Sequence, residues 1–478
     1  MIKNCKLEDL YNLEQINNTL KTTKEKKELY GEVKTPLRFA ERILSIIPDQ
    51  AFQNPYLKWL DPGTGTGSFS IILYFKLMTY LDEVIPNVKD RSEHIILNMI
   101  YMVEIQSANI IALKNLFGTD ANIYEGDFLE YNMPNNKLSA DTRQFPLQYD
   151  MIIGNPPFNC NGLKKVPTNI TAKKIQDGNT IWIHFVIKSV ALLKEDKGQL
   201  CIFIPSIWLK PDKKKMYNFL GQYQINYLNC ISNTETNKIF SGNAQTPSCY
   251  FLLTKRPTAN VMSIFDTSLN RYIDYYLTKS QPIPVFGQSI IQKLQKFCWI
   301  GEENNAINVI KTNMPGVGVD ISWVRTDEYR YRNISTCHLK KDNSPDLVLN
   351  YSNKPLAFAA IPKLVLAHKM YGFPYLDLTG QYGISNRDNY IILKEEQKDL
   401  VTLQRFLSTK TALYLFEATR YRMKYLERYA FQLIPDVTKL TDFPAIINDE
   451  TIADYFDLSK EEQFAIQNLH TKKYNFFV

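Results

Sequence analysis

The run Tyr149-Asp150-Met151-Ile152-Ile153-Gly154-Asn155-Pro156-Pro157-Phe158 decides how this chain reads. Met151, Ile152 and Ile153 form a short apolar stretch of the kind that fills a buried strand. The stretch stops at Gly154. Two consecutive prolines then fix φ near about −65° and push the residue before them to an extended conformation. Asn155 is therefore expected to be held rigidly just past the C-terminal end of a strand, where open α/β sheets bind their ligands. An amide oxygen at Asn155, the Pro156 carbonyl and the ring of Phe158 suit a planar ring that carries an exocyclic amine. A proline-rich strand exit without chemistry is spelled the same way, so the neighbouring segments have to decide.

Upstream, Leu57-Lys-Trp-Leu60 reads as a strand and Asp61-Pro-Gly-Thr-Gly-Thr-Gly-Ser-Phe69 as a tight loop into an amphipathic helix over 70–81. Gly63, Gly65 and Gly67 let the backbone turn and approach a ligand. The loop lacks the Gly-Lys-Ser/Thr ending of a phosphate loop, and Ser68 stands where a dinucleotide fingerprint needs glycine. Asp61 is left to bind a cationic amino group. A second strand (Met99 to Val103) ends at Glu104, an acid suited to the two hydroxyls of a ribose. A third (Ala121 to Phe128) ends at Asp127 and Phe128, an acceptor and a ring suited to an adenine. Further back, Thr35 and Pro36 look like the N-cap and first residue of a helix over 37–47, whose free N–H groups can hold a carboxylate.

These stretches resemble the N6-adenine DNA methyltransferases, the S-adenosylmethionine-dependent amino-methyltransferases in which the cofactor motif precedes the catalytic one and a target-recognition domain comes last. Asp61-Pro-x-x-Gly65-x-Gly67-x-Phe69 is similar to that family's first motif, Glu104 to its ribose-binding acid, and Gly126-Asp127-Phe128 to its adenine-binding motif. Asn155-Pro156-Pro157-Phe158 matches its catalytic motif at every position, and Gly31-Glu-x-x-Thr35-Pro36 is similar to the motif that meets the methionine end of the cofactor. Glu104 lies about forty residues past the glycine loop, against the roughly twenty of a simple βαβ unit; an insertion over 82–94 accounts for the difference.

The resemblance implies an α/β fold: a Rossmann-like methyltransferase sheet with helices on both faces, followed by an α+β target-recognition domain. It implies S-adenosyl-L-methionine as cofactor and catalytic roles for Asn155, Pro156, Pro157 and Phe158. Cofactor contacts are implied for Thr35, Pro36, Asp61, Gly63, Gly65, Gly67, Phe69, Glu104, Asp127, Phe128 and Asn155. No metal is called for. The expected division is a helical lead-in at 1–28, the methyltransferase domain at 29–257 and DNA target recognition at 258–478. Double-stranded DNA is the expected partner, bound by a monomer, with a separate restriction endonuclease as a further one. The same chemistry on RNA or on a protein glutamine, or an inactive DNA-binding specificity subunit, are the alternative readings. No nuclease motif with room for its own domain is evident, so methylation without cleavage is expected.

Composition bounds this reading. The 478 residues are 45% hydrophobic and 22% charged, ordinary for a globular protein, and a net charge of +7 permits a polyanionic partner. Seven scattered cysteines include no C-x-x-C, so reduced thiols in an intracellular compartment are expected. No apolar stretch approaches the roughly 18–20 residues of a membrane span, and no signal-type segment opens the chain, so a soluble intracellular protein is expected. A polar loop over 159–180 carries Lys164, Lys165, Lys173 and Lys174. Beyond 258 the strand–helix alternation is lost. There Arg325, Arg330 and Arg332 interleave with Tyr329 and Tyr331. Helical spacing over 417–429 sets Tyr421, Tyr425 and Tyr429 beside Arg420, Lys424 and Arg428. Pro362-Lys-Leu-Val-Leu, Asp377-Leu-Thr-Gly-Gln-Tyr382 and Ala430-Phe-Gln-Leu-Ile-Pro-Asp436 are loosely similar to the closing specificity domains of such enzymes.

Overall fold

The structure is a computed structural model that describes residues 2–17, 33–131, 145–160, 179–211, 215–278, 280–339, 345–368, 374–421 and 426–469. Gly31 and Glu32, the four lysines of the 159–180 loop, and Lys424 and Tyr425 lie outside the described residues. The chain forms two compact units: Met1–Trp208 with Asp212–Ser263, and Leu209–Pro211 with Ile264–Val478.

The first unit is built on strands β1 (Trp59–Asp61), β2 (Ile100–Glu104), β3 (Asn122–Glu125), β4 (Met151–Gly154), β5 (Gln199–Pro205), β6 (Tyr223–Ile231) and β7 (Ser248–Pro257). Their order across the sheet is β6-β7-β5-β4-β1-β2-β3. β1 pairs in parallel with both β2 and β4, and β3 and β5 extend the parallel run outward. β7 runs antiparallel to β5 and to β6. Every residue of β1, β2 and β4 is buried. This is why these strands read as continuous apolar runs and not as alternating ones: helices cover both faces of a parallel sheet. The chain leaves β1 toward β2 on one side and comes back to β4 on the other, so the C-terminal ends of β1 and β4 flank the point where connections diverge. Such a point is where open α/β sheets form a crevice.

Helices α1 (Leu7–Asn17), α2 (Leu37–Leu44), α3 (Ser68–Tyr80), α4 (Val88–His94), α5 (Ser107–Phe117) and α6 (Trp182–Leu192) complete the layers used below. α4 occupies the segment read as an insertion. Asn87 caps it by accepting from the Lys89 and Asp90 amides, and a π-turn at Ile95–Met99 delivers the chain into β2. The amide of Asn122 in turn donates to the carbonyls of Ile96, Leu97 and Ile100, which ties that turn to β3.

The second unit holds two four-stranded sheets and a helical layer. With β8 (Ile310–Lys311), β9 (Ile321–Ser322), β10 (Tyr331–Leu339), β11 (Pro345–Ser352), β12 (Lys363–Ala367), β13 (Tyr375–Asp377), β14 (Gly383–Ile384) and β15 (Asn389–Ile392), the orders are β8-β15-β12-β13 and β9-β11-β10-β14. α7 (Gln397–Leu407) and α8 (Lys410–Ala418) pack an apolar face that includes Leu400, Leu403, Phe406 and Tyr414. The continuous helix expected over 417–429 is not formed. α8 ends at Ala418, where the Thr419 hydroxyl turns back onto the Leu415 and Phe416 carbonyls. Tyr421 donates its hydroxyl to the Ile283 carbonyl at 2.6 Å, and the Leu426 amide bonds to His368. Arg428–Leu433 is a 3-10 segment. The two parallel stripes of tyrosines and basic residues therefore do not exist on one helix.

Among the described residues no helix is long and apolar enough to cross a membrane. All seven cysteines are free thiols.

Candidate active site at the ends of β1 and β4

Asp61 closes β1 and is 3% exposed. The Ser70 hydroxyl, one turn into α3, donates to its Oδ2 at 3.0 Å, while Oδ1 is buried and accepts no hydrogen bond among the described residues. Burial pushes the carboxyl up to about 7; the Ser70 hydroxyl and the Gly63 amide oppose that rise, and the Glu104 charge adds to it. A carboxylate this deeply buried is costly without a partner. A ligand's cationic amino group would fit the bare oxygen.

The loop that follows turns on two left-handed glycines, Gly65 (φ +57°) and Gly67 (φ +94°). At Gly67 a side chain is disfavoured twice over, because besides the strain of positive φ a Cβ would stand 3.0 Å from the tip of Leu113 of α5. Gly63 needs no such freedom; a Cβ there would make ordinary contacts with Phe185 and Pro157. The loop is sewn to the ends of the neighbouring strands. Thr64 N–H donates to the Val103 carbonyl, and Gly65 N–H donates to Glu104 Oε2 at 2.7 Å. Glu104 Oε1 accepts from the Gln106 amide and from Asn109 Nδ2. Glu104, 5% exposed, thus braces the glycine loop as well as standing at a strand end suited to a ribose.

The third strand brings its acid to the same edge, where Gly126 N–H donates to the Glu104 carbonyl and Asp127 Oδ1 accepts from the Leu129 amide. The two aromatic side chains of the proposed cofactor motifs are core residues. Phe69 and Phe128 are 4% and 2% exposed. The Phe128 ring packs on Phe185 of α6 at 5.2 Å between centroids and on Tyr131, with the Lys188 ammonium 5.4 Å above it. Phe185, which also borders Gly63, is absent from the residues singled out by sequence. Its signal was no more than one aromatic among the apolar positions of a helix.

Past Gly154, the Asn155 Nδ2 donates to Thr35 Oγ1 at 3.0 Å. Thr35 is 7% exposed, and its carbonyl accepts from Ser68 Oγ at 2.6 Å. The expected capping pair is displaced by one residue: Pro36 is the N-cap of α2, Leu37 the first helical residue, and no side chain caps the helix. The Thr35 hydroxyl therefore serves Asn155 and not the helix end. Pro156 is buried, Asn155, Pro157 and Phe158 are half-buried, and the Phe158 ring leans on Phe203 at 5.8 Å. A Cβ at Gly154 (φ +155°) would stand 3.2 Å from Asp61 Oδ1. The strand exit and the open carboxylate thus share one wall. The ribbon formed by Asn159–Cys160 and Asn179–Thr180 follows directly, anchored by the Ile181 amide on the Phe158 carbonyl.

Hydrogen bonds thus link Asn155, Thr35 and Ser68, and separately Gly65, Glu104 and Gly126, while Asp61 and Gly63 lie beside the strand exit at Gly154 and Pro157. Among the described residues no group of three or more His, Cys, Asp or Glu could hold a metal ion.

The segment carrying Glu104, Asp127 and Asn155 is similar to a family of restriction-modification methylases. Residues 70–240 match the model of that family described as Eco57I restriction-modification methylase. Among solved structures, the methyltransferase subunit of a type I restriction-modification system from Streptococcus thermophilus is 17% identical, with 52% of this chain and 51% of that one covered and a TM-score of 0.34. The M protein of the type I restriction enzyme EcoKI is 15% identical over 52% of this chain and 50% of that one, with a TM-score of 0.35. The ATP-dependent type ISP restriction-modification enzyme LlaBIII, solved bound to DNA, is 14% identical over 57% of this chain and 24% of that one, with a TM-score of 0.41. The chain thus spans about half the length of the first two of these proteins. No curated protein sequence matches the chain.

Proposed function

We propose that the first unit is a Rossmann-like methyltransferase domain that transfers a methyl group from S-adenosyl-L-methionine to N6 of an adenine in duplex DNA. The observation that carries the reading is the pairing of two open acceptors at one sheet edge. Asp61 keeps a bare Oδ1 for a cation. Asn155 has its amide nitrogen committed to Thr35, which leaves the amide oxygen as the acceptor. The match of residues 70–240 to restriction-modification methylases supports it.

The cofactor, held through Asp61, Glu104, Asp127 and the glycine loop, supplies an electrophilic methyl group. The protein's part is orientation. An adenine amine is conjugated into its ring and is a weak nucleophile. Asn155 Oδ1 and the Pro156 carbonyl accept its two hydrogens, which localises the nitrogen lone pair, and Phe158 stacks on the base. Positioning and hydrogen bonding of this kind supply catalysis without a metal or a covalent intermediate. A base inside the duplex cannot reach such a pocket and must be flipped out, at a cost of a few kcal/mol. Residues 258–478 are the proposed target-recognition domain, which holds the duplex while that happens, and the protein acts as an intracellular monomer on DNA beside a separate nuclease.

The test is Asn155→Ala. Cofactor affinity by calorimetry should stay within about twofold, while tritiated methyl transfer to duplex DNA should fall by roughly a thousandfold or more. A variant with the turnover of the unmodified chain ends the assignment. Methylation mapping of DNA from cells expressing the chain reports both the base and the site.

A further inference from the structure

Asp127 stands at the end of the outermost strand of its sheet. Among the described residues, the turn after β3 therefore has a neighbouring strand on one side only, where Gly126 N–H donates to the Glu104 carbonyl. Within the turn, Asp127 Oδ1 accepts from the Leu129 amide at 2.8 Å, and the Asp127 and Phe128 carbonyls accept from the amides of Glu130 and Tyr131. Helix α6 supports the turn from outside. Lys188 Nζ donates to the Leu129 carbonyl at 2.8 Å, and the same ammonium stands over the rings of Phe128 and Tyr131, at 5.4 and 5.9 Å. Phe185, three residues earlier and so on the same face of α6, packs on Phe128. An ammonium can only donate and a carbonyl can only accept, so the direction of the Lys188 contact is fixed. Burial pulls the Lys188 pKa down, and the charges of Glu130 and Asp127 oppose that. Leu129 is thus held at its carbonyl by Lys188 while its N–H holds Asp127.

We propose that Lys188 is a positioning residue for Asp127: by clamping the Leu129 carbonyl it fixes the carboxylate that reads the exocyclic amine of the cofactor's adenine. This rests on the methyltransferase reading and concerns a residue outside every motif of the resemblance. With Oδ1 given to Leu129, Oδ2 is the oxygen left for that amine. The probes are S-adenosylhomocysteine, the demethylated form of the cofactor, and its analogue whose purine lacks the 6-amino group. Lys188→Met keeps the aliphatic stem and removes the donor. By calorimetry it should weaken S-adenosylhomocysteine roughly 5- to 10-fold, as the loss of one hydrogen bond does, and the deaminated analogue by less than about twofold. At saturating cofactor, kcat should stay within about twofold. Lys188→Gln, which keeps a donor on a shorter stem, should show the same selective loss at smaller size.

The pair of ligands separates positioning from general damage, because a lysine that only supports the fold would move both affinities alike. Equal losses for the two ligands, or a loss for neither, overturn the proposal. So does an unmodified chain that binds both equally, since Asp127 then reads no amine. If Lys188→Met does not fold, Lys188→Gln carries the same comparison. If the unmodified chain binds neither S-adenosylmethionine nor S-adenosylhomocysteine, the functional reading falls by itself. Hydrogen exchange in ligand-free full-length protein, read by mass spectrometry on peptides spanning 126–131, then still decides the positioning. Exchange that is about tenfold faster or more in Lys188→Met supports the clamp on the Asp127 turn; unchanged exchange overturns it.

Discussion

Among the buried aspartates of the described residues, Asp61 in the first unit and Asp377 in the second are treated in opposite ways. Asp377, at the end of β13, is 1% exposed and is closed off by its own chain. The Lys363 ammonium, 0% exposed, donates to its Oδ2 at 2.5 Å, and the Tyr382 and Gln381 amides complete both oxygens. Asp61, at the end of β1, has the Ser70 hydroxyl on Oδ2 and the Gly63 backbone amide beside the carboxyl, no cationic partner, and an Oδ1 that no group closes with a well-formed hydrogen bond among the described residues. Burial depresses the Lys363 pKa against the pull of its partner, whereas at Asp61 burial wins and the acid is raised. A buried carboxylate that its own chain completes is part of the framework. One left open beside two left-handed glycines retains capacity for a ligand.

The sharpest way to break this contrast is to remove a partner. Lys363→Met leaves Asp377 as an uncompensated buried charge and should cost about 3–5 kcal/mol of stability. Asp61→Asn removes a charge that has no ionic partner, and in ligand-free protein it should change stability by less than about 1 kcal/mol. Urea unfolding of both variants measures the difference. Similar losses at the two sites would mean that Asp61 is also framework.

A smaller effect, in pH, sharpens the same point. The folded pKa of Asp61, raised to about 7, lies above the roughly 3.9 of an unfolded aspartate. Its contribution to the stability of the ligand-free chain is therefore complete below about pH 4 and is lost as pH rises through about 7. Cofactor binding should run the other way, because a cationic amino group favours the ionised acid. Between pH 6 and 7.5, below the roughly 7.7–8.0 at which an α-amino group loses its proton, affinity should rise roughly five- to tenfold. Calorimetry across that window should find the slope in the unmodified chain and a nearly flat line for Asp61→Asn.

How much of this was legible follows from how local each signal is. The β4 exit, the glycine loop and the acids at the ends of β2 and β3 are short segments whose residue types answer local geometry, so Asn155, Gly65, Gly67, Asp61 and Glu104 could be placed from spacing. The Thr35–Asn155 bond joins residues 120 positions apart, and no local pattern records it. Phe185 was missed for the same reason, and Phe128, read as a stacking surface, is filled on its own side by Tyr131 and Phe185. In the second unit, tertiary contacts override local propensity. The stretch 417–429 is rich in helix formers, yet Thr419 closes α8 and Tyr421 is drawn off to Ile283. The interleaved arginines and tyrosines also resolve differently: Arg330 Nη2 donates to the hydroxyl of its neighbour Tyr331, and the Arg332 guanidinium lies over Tyr382.

The smallest effect concerns what the second unit shows on its surface, where Arg325 and Arg330 are both exposed. If this unit has a closed interior and meets the duplex through surface charge, Arg330→Ala should weaken binding to every duplex alike, by about threefold at moderate salt. The slope of log affinity against log salt should drop by about one. Cofactor affinity at the Asp61 site should be unchanged. Binding titrations at three or four salt concentrations, on a methylated site and on a scrambled duplex, distinguish the outcomes. A loss confined to one sequence with no change in slope would make Arg330 a reader of bases instead of a phosphate contact. A parallel loss of cofactor affinity would show that surface charge in the second unit and the open acid in the first do not act independently.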